Sequence, residues 1–195
     1  MKKKLVLVAS PPACGKTYIS EKIAAALNHL VYLDKDDLSD IVRAAFNASG
    51  QKLDMDGEFY VKNIRSAEYS TILNIAFSTL RFEDKVLLNA PFGKEVRNID
   101  FMQKLKEKAN NMGAELIMIW VTAPVEVCHE RMKKRNSDRD ILKLKNWAEY
   151  VEKINYAPPV ELKERDAVDK FFVFNTENDK TVNECLAKAL DIISK

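Results

Sequence analysis

The sequence predicts an α/β fold around a buried parallel sheet, and three observations carry the prediction. Short apolar runs rich in Val, Ile and Leu alternate with longer segments of helical periodicity. Five of those runs read as strands covered on both faces. At 195 residues, 47% hydrophobic and 31% charged with only 5 Gly and 6 Pro, the chain can bury one good core and is neither disordered nor fibrous.

The first strand is expected over residues 5–9, followed by a helix whose stripe is Ile19, Ile23, Ala26 and Leu27. The second covers 30–34. A helical insertion is expected at about 50–82, because residues 49–56 are polar and Ile72, Ile75, Ala76, Thr79 and Leu80 recur at helical spacing. Strands three and four are placed at 86–90 and 116–121. Ser137 with Asp140 has the spacing of an N-terminal cap, opening a helix that Ala157-Pro158-Pro159 ends. The fifth strand is placed at 171–174. Thr176 with Asp179 is a second such cap, before a closing helix with Val182, Cys185, Leu186, Ala189, Leu190 and Ile193 inward. No repeat and no Gly/Ser linker divides the chain, so residues 1–195 are expected to form a single domain.

Charge excludes several function classes. Lys and Arg number 31 against 29 Asp and Glu, a net +2, too balanced for a nucleic-acid coat or a membrane-surface protein. An anionic ligand must be held locally. Cys14, Cys128 and Cys185 match no zinc or disulfide framework, which points to a reducing compartment. Lys2-Lys3-Lys4 before Leu5-Val6-Leu7-Val8 imitates a signal peptide, but Ser10-Pro11-Pro12 cuts the apolar run short. No run of about 18 apolar residues occurs, so no membrane span and a cytoplasmic location are expected. The oligomeric state is open.

The first strand runs into Ser10-Pro11-Pro12-Ala13-Cys14-Gly15-Lys16-Thr17 and then an amphipathic helix, a Walker A pattern with serine for its first glycine. Backbone N–H groups from Ala13 to Thr17 can cradle phosphates, Lys16 can reach the β and γ phosphates, and the Thr17 hydroxyl can ligate Mg²⁺. The prolines lie ahead of these donors. Ser10 and Ala13 place a Cβ where glycine allows freer torsions.

From this loop to about residue 153 the sequence resembles the kinase domain of polynucleotide 5′-hydroxyl kinase and its relatives, the P-loop kinases that include zeta toxins and chloramphenicol phosphotransferase. The matching segments are Tyr32-Leu33-Asp34-Lys35-Asp36-Asp37, then Val86-Leu87-Leu88-Asn89-Ala90-Pro91-Phe92 with Arg97 beyond, Trp120-Val121-Thr122-Ala123-Pro124, and 130–137. The resemblance implies a three-layer α/β/α fold with a sheet of order 2-3-1-4-5, ligands at the carboxyl ends of the strands, and an arginine-bearing lid at about 131–145. Asp36, Asn89, Thr122 and Asn175 all fall at those expected ends. The chain departs from the pattern at Asn89, where many relatives carry aspartate, and at Ser39, where an acceptor-binding arginine is usual. Arg43, Arg65 or Arg97 could replace that arginine.

Phosphoryl transfer asks for a cradle, a metal, a residue that orients the nucleophile and cations over the γ phosphate. Ser10, Ala13, Cys14, Gly15, Lys16 and Thr17 are the cradle candidates, and Thr17 with Asp34 the metal candidates. By position in the resemblance Asp36 receives the proton of an acceptor hydroxyl; the other reading is that Asp34, Asp36, Asp37 and Asp40 only cap a helix. Arg135 and Arg139 are the first lid candidates and Arg131 the third, in a basic run that is otherwise a solvated face. Asn89 and Arg97 are candidates for the acceptor. Asn175 to Asn178 either hold adenine or form a plain turn. His29 and His129 lack metal-ligand spacing and read as structural.

The expected function is transfer of the ATP γ-phosphate, with Mg²⁺, to a hydroxyl of a small molecule; a nucleic-acid 5′-hydroxyl is a less favoured acceptor without an aromatic-basic platform. The alternative is a nucleotide-binding regulatory or toxin-antitoxin module without turnover.

Overall fold

In the computed structural model, which describes residues 2–137 and 140–195, the five expected strands form one wholly parallel sheet. They are β1 (Lys3–Ala9), β2 (Leu30–Asp34), β3 (Lys85–Asn89), β4 (Ala114–Thr122) and β5 (Lys170–Asn175), in the order β2-β3-β1-β4-β5. Leu5 of β1 lies opposite Val86 on one side and Leu116 on the other.

Because side chains alternate along a strand, each strand feeds two cores. Leu5, Leu7 and Ala9 point with Val86, Leu88, Leu116, Met118 and Trp120 toward α4 (Arg65–Thr79) and α5 (Ile99–Asn111). Val6 and Val8 point with Leu87, Ile117, Ile119, Val121 and Phe174 toward α1 (Lys16–Ala26) and α10 (Asp179–Ser194). This gives the three layers.

The segment read as an insertion divides in two. α4 is a sheet-covering helix, burying Tyr69, Ile72, Leu73, Ala76 and Phe77, while Ile75 faces out. The part that stands off the sheet is residues 50–64, with α3 (Glu58–Asn63) closing a small cluster of Val42, Phe46, Tyr60 and Ile64 against α2 (Ser39–Ser49).

After α6 (Val125–Arg135), the single helix expected from Ser137 onward is instead two short ones, α7 (Ile141–Lys145) and α8 (Trp147–Lys153). Neither buries a residue, and Asn146 between them leaves the helical region at φ −115°, ψ 43°. The apolar residues here stay at the surface, so no buried face holds one continuous helix across that point. Pro158-Pro159 precede a last turn, α9 (Glu161–Glu164). The cap of α10 is Asn178, whose side chain accepts from the Thr181 N–H, and not Thr176, whose hydroxyl is buried and used elsewhere. Asp140 meets Ser137 through its backbone N–H, which donates to the Ser137 carbonyl.

At the amino end of the sheet the nearly buried Lys4 donates to Glu115, which also faces Lys170 at 3.2 Å and Lys2 at 3.6 Å. Among the described residues no helix is long and apolar enough to cross a membrane.

Candidate active site

The loop between β1 and α1 bends through two left-handed residues, Ala13 at φ 64° and Gly15 at φ 90°. Such torsions curl successive N–H groups to one side, the concavity that anions occupy. Ala13 thus adopts a torsion that its Cβ disfavours, at a strain of about 1–3 kcal/mol. Gly15 caps α1 with no side chain serving the first helical amides, which leaves them for a ligand.

Asn89, at the end of β3 and fully buried, gathers the groups around the loop. Its carbonyl oxygen accepts from Lys16 Nζ at 2.6 Å and from Ser20 Oγ at 3.1 Å. Its amide donates to Tyr32 Oη at 3.1 Å, to Thr17 Oγ1 at 3.3 Å and to Asp34. Tyr32 donates to Asp34 Oδ2 at 2.7 Å, and burial first, then the Asp34 carboxylate, pushes its phenol upward. Lys16, Thr17, Asp34 and Asn89, singled out on sequence, therefore form one network. Ser20 and Tyr32 were not foreseen. Their signal was spacing: Ser20 lies one helical turn beyond Lys16, and Tyr32 shares a strand face with Asp34.

Asp36 stands beside this network in the 3₁₀ turn Lys35–Leu38, its N–H donating to Asp34 Oδ1 at 2.9 Å and its side chain 70% exposed. It is free to meet a ligand. The preceding Lys35 is buried, 2.8 Å from Glu68 of α4 and 3.7 Å from Asp36. Tyr60 of α3 also donates to Glu68, so the stand-off segment braces the turn that carries Asp36.

The arginines separate. Arg131 on α6 donates through Nη1 to Thr176 Oγ1 at 2.9 Å and through Nη2 to the Thr176 carbonyl, and the Thr176 hydroxyl donates to the Cys14 carbonyl at 2.7 Å. Arg131 therefore lies against the loop. Arg135, ranked ahead of it on sequence, instead holds the buried Asp140 through Nε at 2.8 Å and Nη2 at 2.6 Å. Arg139 lies outside the described residues. Arg97 does not reach the network: it donates to the Ala157 carbonyl at 2.6 Å, lies over the Trp120 ring and faces Glu161 at 3.7 Å. Arg65 is paired with Glu95 at 2.7 Å. Ser39 opens α2.

Beside the loop lies a cleft of about 370 Å³, lined by Gly15, Tyr18, Arg131, Glu177, Asn178 and Val182 among others. Asn175 and Asn178 themselves serve backbone turns, accepting from the N–H groups of Glu177 and Thr181. The network, Asp36 and the cleft all lie at the carboxyl edge of the parallel sheet, where ligands of open α/β sheets bind.

Residues 5–155 match the family described as the AAA domain. The chain belongs to the AAA domain family. No curated protein matches it. Among solved structures, this AAA domain chain is similar to a candidate kinase from Chloroflexus aurantiacus, at 17% identity over 100% of this chain and 98% of that one, with a TM-score of 0.63. It is also similar to shikimate kinase from Bacteroides thetaiotaomicron (14% identity, 100% of both chains, TM-score 0.54). A third is the APS kinase of Mycobacterium tuberculosis, solved with AMPPNP and APS (16% identity, 100% and 99%, TM-score 0.52). At such identities the likeness shows the fold: a P-loop kinase fold with sheet order 2-3-1-4-5.

Proposed function

We propose that this AAA domain protein is an ATP- and Mg²⁺-dependent phosphotransferase that acts on a hydroxyl of a small molecule. The observation that carries the reading is the single network joining Lys16, Thr17, Asn89 and Asp34 beside an exposed Asp36. The residues fit the ligands: a curled backbone with left-handed Ala13 and Gly15 suits phosphate oxygens, and the hydroxyl and carboxylate oxygens of Thr17 and Asp34 suit a hard cation.

In this reading the Ala13–Thr17 amides hold the ATP phosphates and Lys16 moves from Asn89 to the β and γ phosphates. Thr17, with Asp34 behind it, would hold Mg²⁺, which when bound would supply neutralisation of charge on the transferred group. Asp36 orients the acceptor hydroxyl and takes its proton as the new O–P bond forms and the bond from the γ phosphorus to the β–γ bridging oxygen breaks, leaving ADP. Arg131, already at the loop, is the arginine nearest the phosphates, with Arg135 and Arg139 in the lid. Adenine enters the cleft between Gly15 and Val182, next to Asn175. The acceptor lies between the Asp36 turn and the stand-off segment, and the whole chain works as one cytoplasmic domain. The sequence resemblance to polynucleotide 5′-hydroxyl kinase, zeta toxin and chloramphenicol phosphotransferase keeps nucleosides, aminoglycosides and 5′-hydroxyl oligonucleotides among the acceptors to test.

The test is ADP release from Mg-ATP, alone and with pools of nucleosides, sugars, aminoglycosides and 5′-hydroxyl oligonucleotides. Stimulation by one pool that is lost in Lys16→Ala supports the reading and gives the acceptor class. Asp36→Asn is expected to keep ATP binding and lose transfer by about 10²–10⁴-fold. No stimulation by any pool while ATP still binds would replace a kinase with a nucleotide-binding regulatory module.

A further inference from the structure

Two of the three cysteines meet at the loop. Cys14 immediately precedes Gly15, Cys128 lies on α6 one turn before Arg131, and both are fully buried with their sulfurs 3.6 Å apart. Cys185 is half-buried on α10 and has no part in the pair. The sulfur contact sits inside the tie already described, in which Arg131 holds Thr176 and Thr176 holds the Cys14 carbonyl. It joins the phosphate loop to the root of the lid.

We infer that Cys14 and Cys128 form an oxidative modification site, which a two-electron oxidant of the peroxide class converts to an intramolecular disulfide that disables the phosphate loop. The inference rests on the reading of that loop as a nucleotide site. A disulfide needs sulfurs about 2.05 Å apart, so the pair must close by about 1.5 Å. Side-chain rotation and movement of the loop toward α6 share that distance. The amides from Ala13 to Thr17 follow Cys14, and a shift of about 1 Å in such a cradle is costly.

The chemistry balances. The Cys128 thiolate attacks one peroxide oxygen, the O–O bond breaks, and the departing oxygen takes a proton to leave as water, with a sulfenic acid on Cys128. Cys14 sulfur then attacks the sulfenic sulfur and releases the second water. Two thiols and one peroxide become one disulfide and two waters. Either sulfur can donate across the 3.6 Å contact; burial disfavours a thiolate on both, and the Arg131 guanidinium one turn along α6 favours it on Cys128.

The experiment uses the full chain, reduced and then treated with hydrogen peroxide, followed by intact mass, peptide mapping and titration with a fluorescent ATP analogue. The expected result is a loss of about 2 Da mapped to a Cys14–Cys128 bridge, with ATP affinity lowered by about tenfold or more and restored by dithiothreitol. Cys128→Ala and Cys128→Ser should bind as the reduced protein does and keep that affinity after peroxide. Cys185→Ala should respond like the unaltered chain. Absence of the bridge overturns the inference, as does a bridged protein that binds ATP undiminished. Reduced protein that binds no ATP would sink the nucleotide reading, and this inference with it.

Discussion

At Asn89 the two halves of one amide face opposite kinds of neighbour: Lys16 and Ser20 donate to its oxygen, and its nitrogen donates to Asp34, Tyr32 and Thr17. An aspartate here would keep the first set and turn a carboxylate on Asp34, a like-charge contact in a buried place. Asn89→Asp is therefore expected to lower stability by about 1–3 kcal/mol, read from urea midpoints at pH 7. On sequence the same asparagine looked like a departure from a kinase pattern, because its partners come from β2 and α1 and no spacing reveals them together. The two arginines of α6 teach the same point. Arg131 and Arg135 lie one turn apart on α6, and only packing distinguishes the one on the loop from the one on Asp140. Arg131→Ala should weaken ATP binding by about tenfold, measured by calorimetry. The main effect of Arg135→Ala should fall on thermal stability, because it strands a buried carboxylate.

Among the elements, the strands were legible to within two residues at either end, since an apolar run buried on both faces has no other use in a short segment. Helix faces were less so. The expected stripe of α4 included Ile75, yet Tyr69, Leu73 and Phe77 form the inward face with Ile72 and Ala76. Residues 141–153 carry Ile141, Leu144, Ala148 and Val151 at helical spacing, yet neither half buries a residue and the segment breaks at Asn146. The charged end of the sheet offers a measurable contribution. Lys4 first, then Lys170, holds the Glu115 carboxyl down to about 2 from an ordinary 4.5. A depressed carboxyl stabilises the fold fully above its unfolded value and loses that contribution as pH falls through the folded one. The melting-temperature gap between the unaltered chain and Glu115→Gln should be constant above about pH 5.5 and shrink between pH 4.5 and pH 2. At neutral pH the substitution leaves Lys4 buried without its anion, at a cost of about 3–5 kcal/mol.

Across the whole molecule, the carboxyl edge of the sheet is enclosed by pieces distant in sequence. Lys143 of α7 reaches Asp56, ahead of α3, at 3.7 Å, and Arg97, lying over the Trp120 ring, fastens the chain at Asn155 and Ala157. This enclosure was the part of the site least visible in the sequence, where Arg97 read as an acceptor ligand, because a guanidinium shows its carbonyl partners only in the fold. Arg97→Ala should speed amide exchange around residues 155–157 by about tenfold or more while leaving β1 and β4 protected, a pattern that exchange mass spectrometry resolves. Lost protection in the sheet as well would show that the strap supports the core.

The central place of β1 also governs the order in which the chain can assemble. Leu5 pairs with Val86, about 80 residues later, and with Leu116, about 110 residues later. On a ribosome adding about 5–20 residues per second, the first strand leaves the exit tunnel many seconds before its second neighbour exists. Throughout that interval the run Leu5 to Ala9, wholly buried in the finished sheet, is exposed to every other nascent chain. The yield of native protein in a cell is therefore expected to depend on chaperone supply and translation speed as well as on final stability.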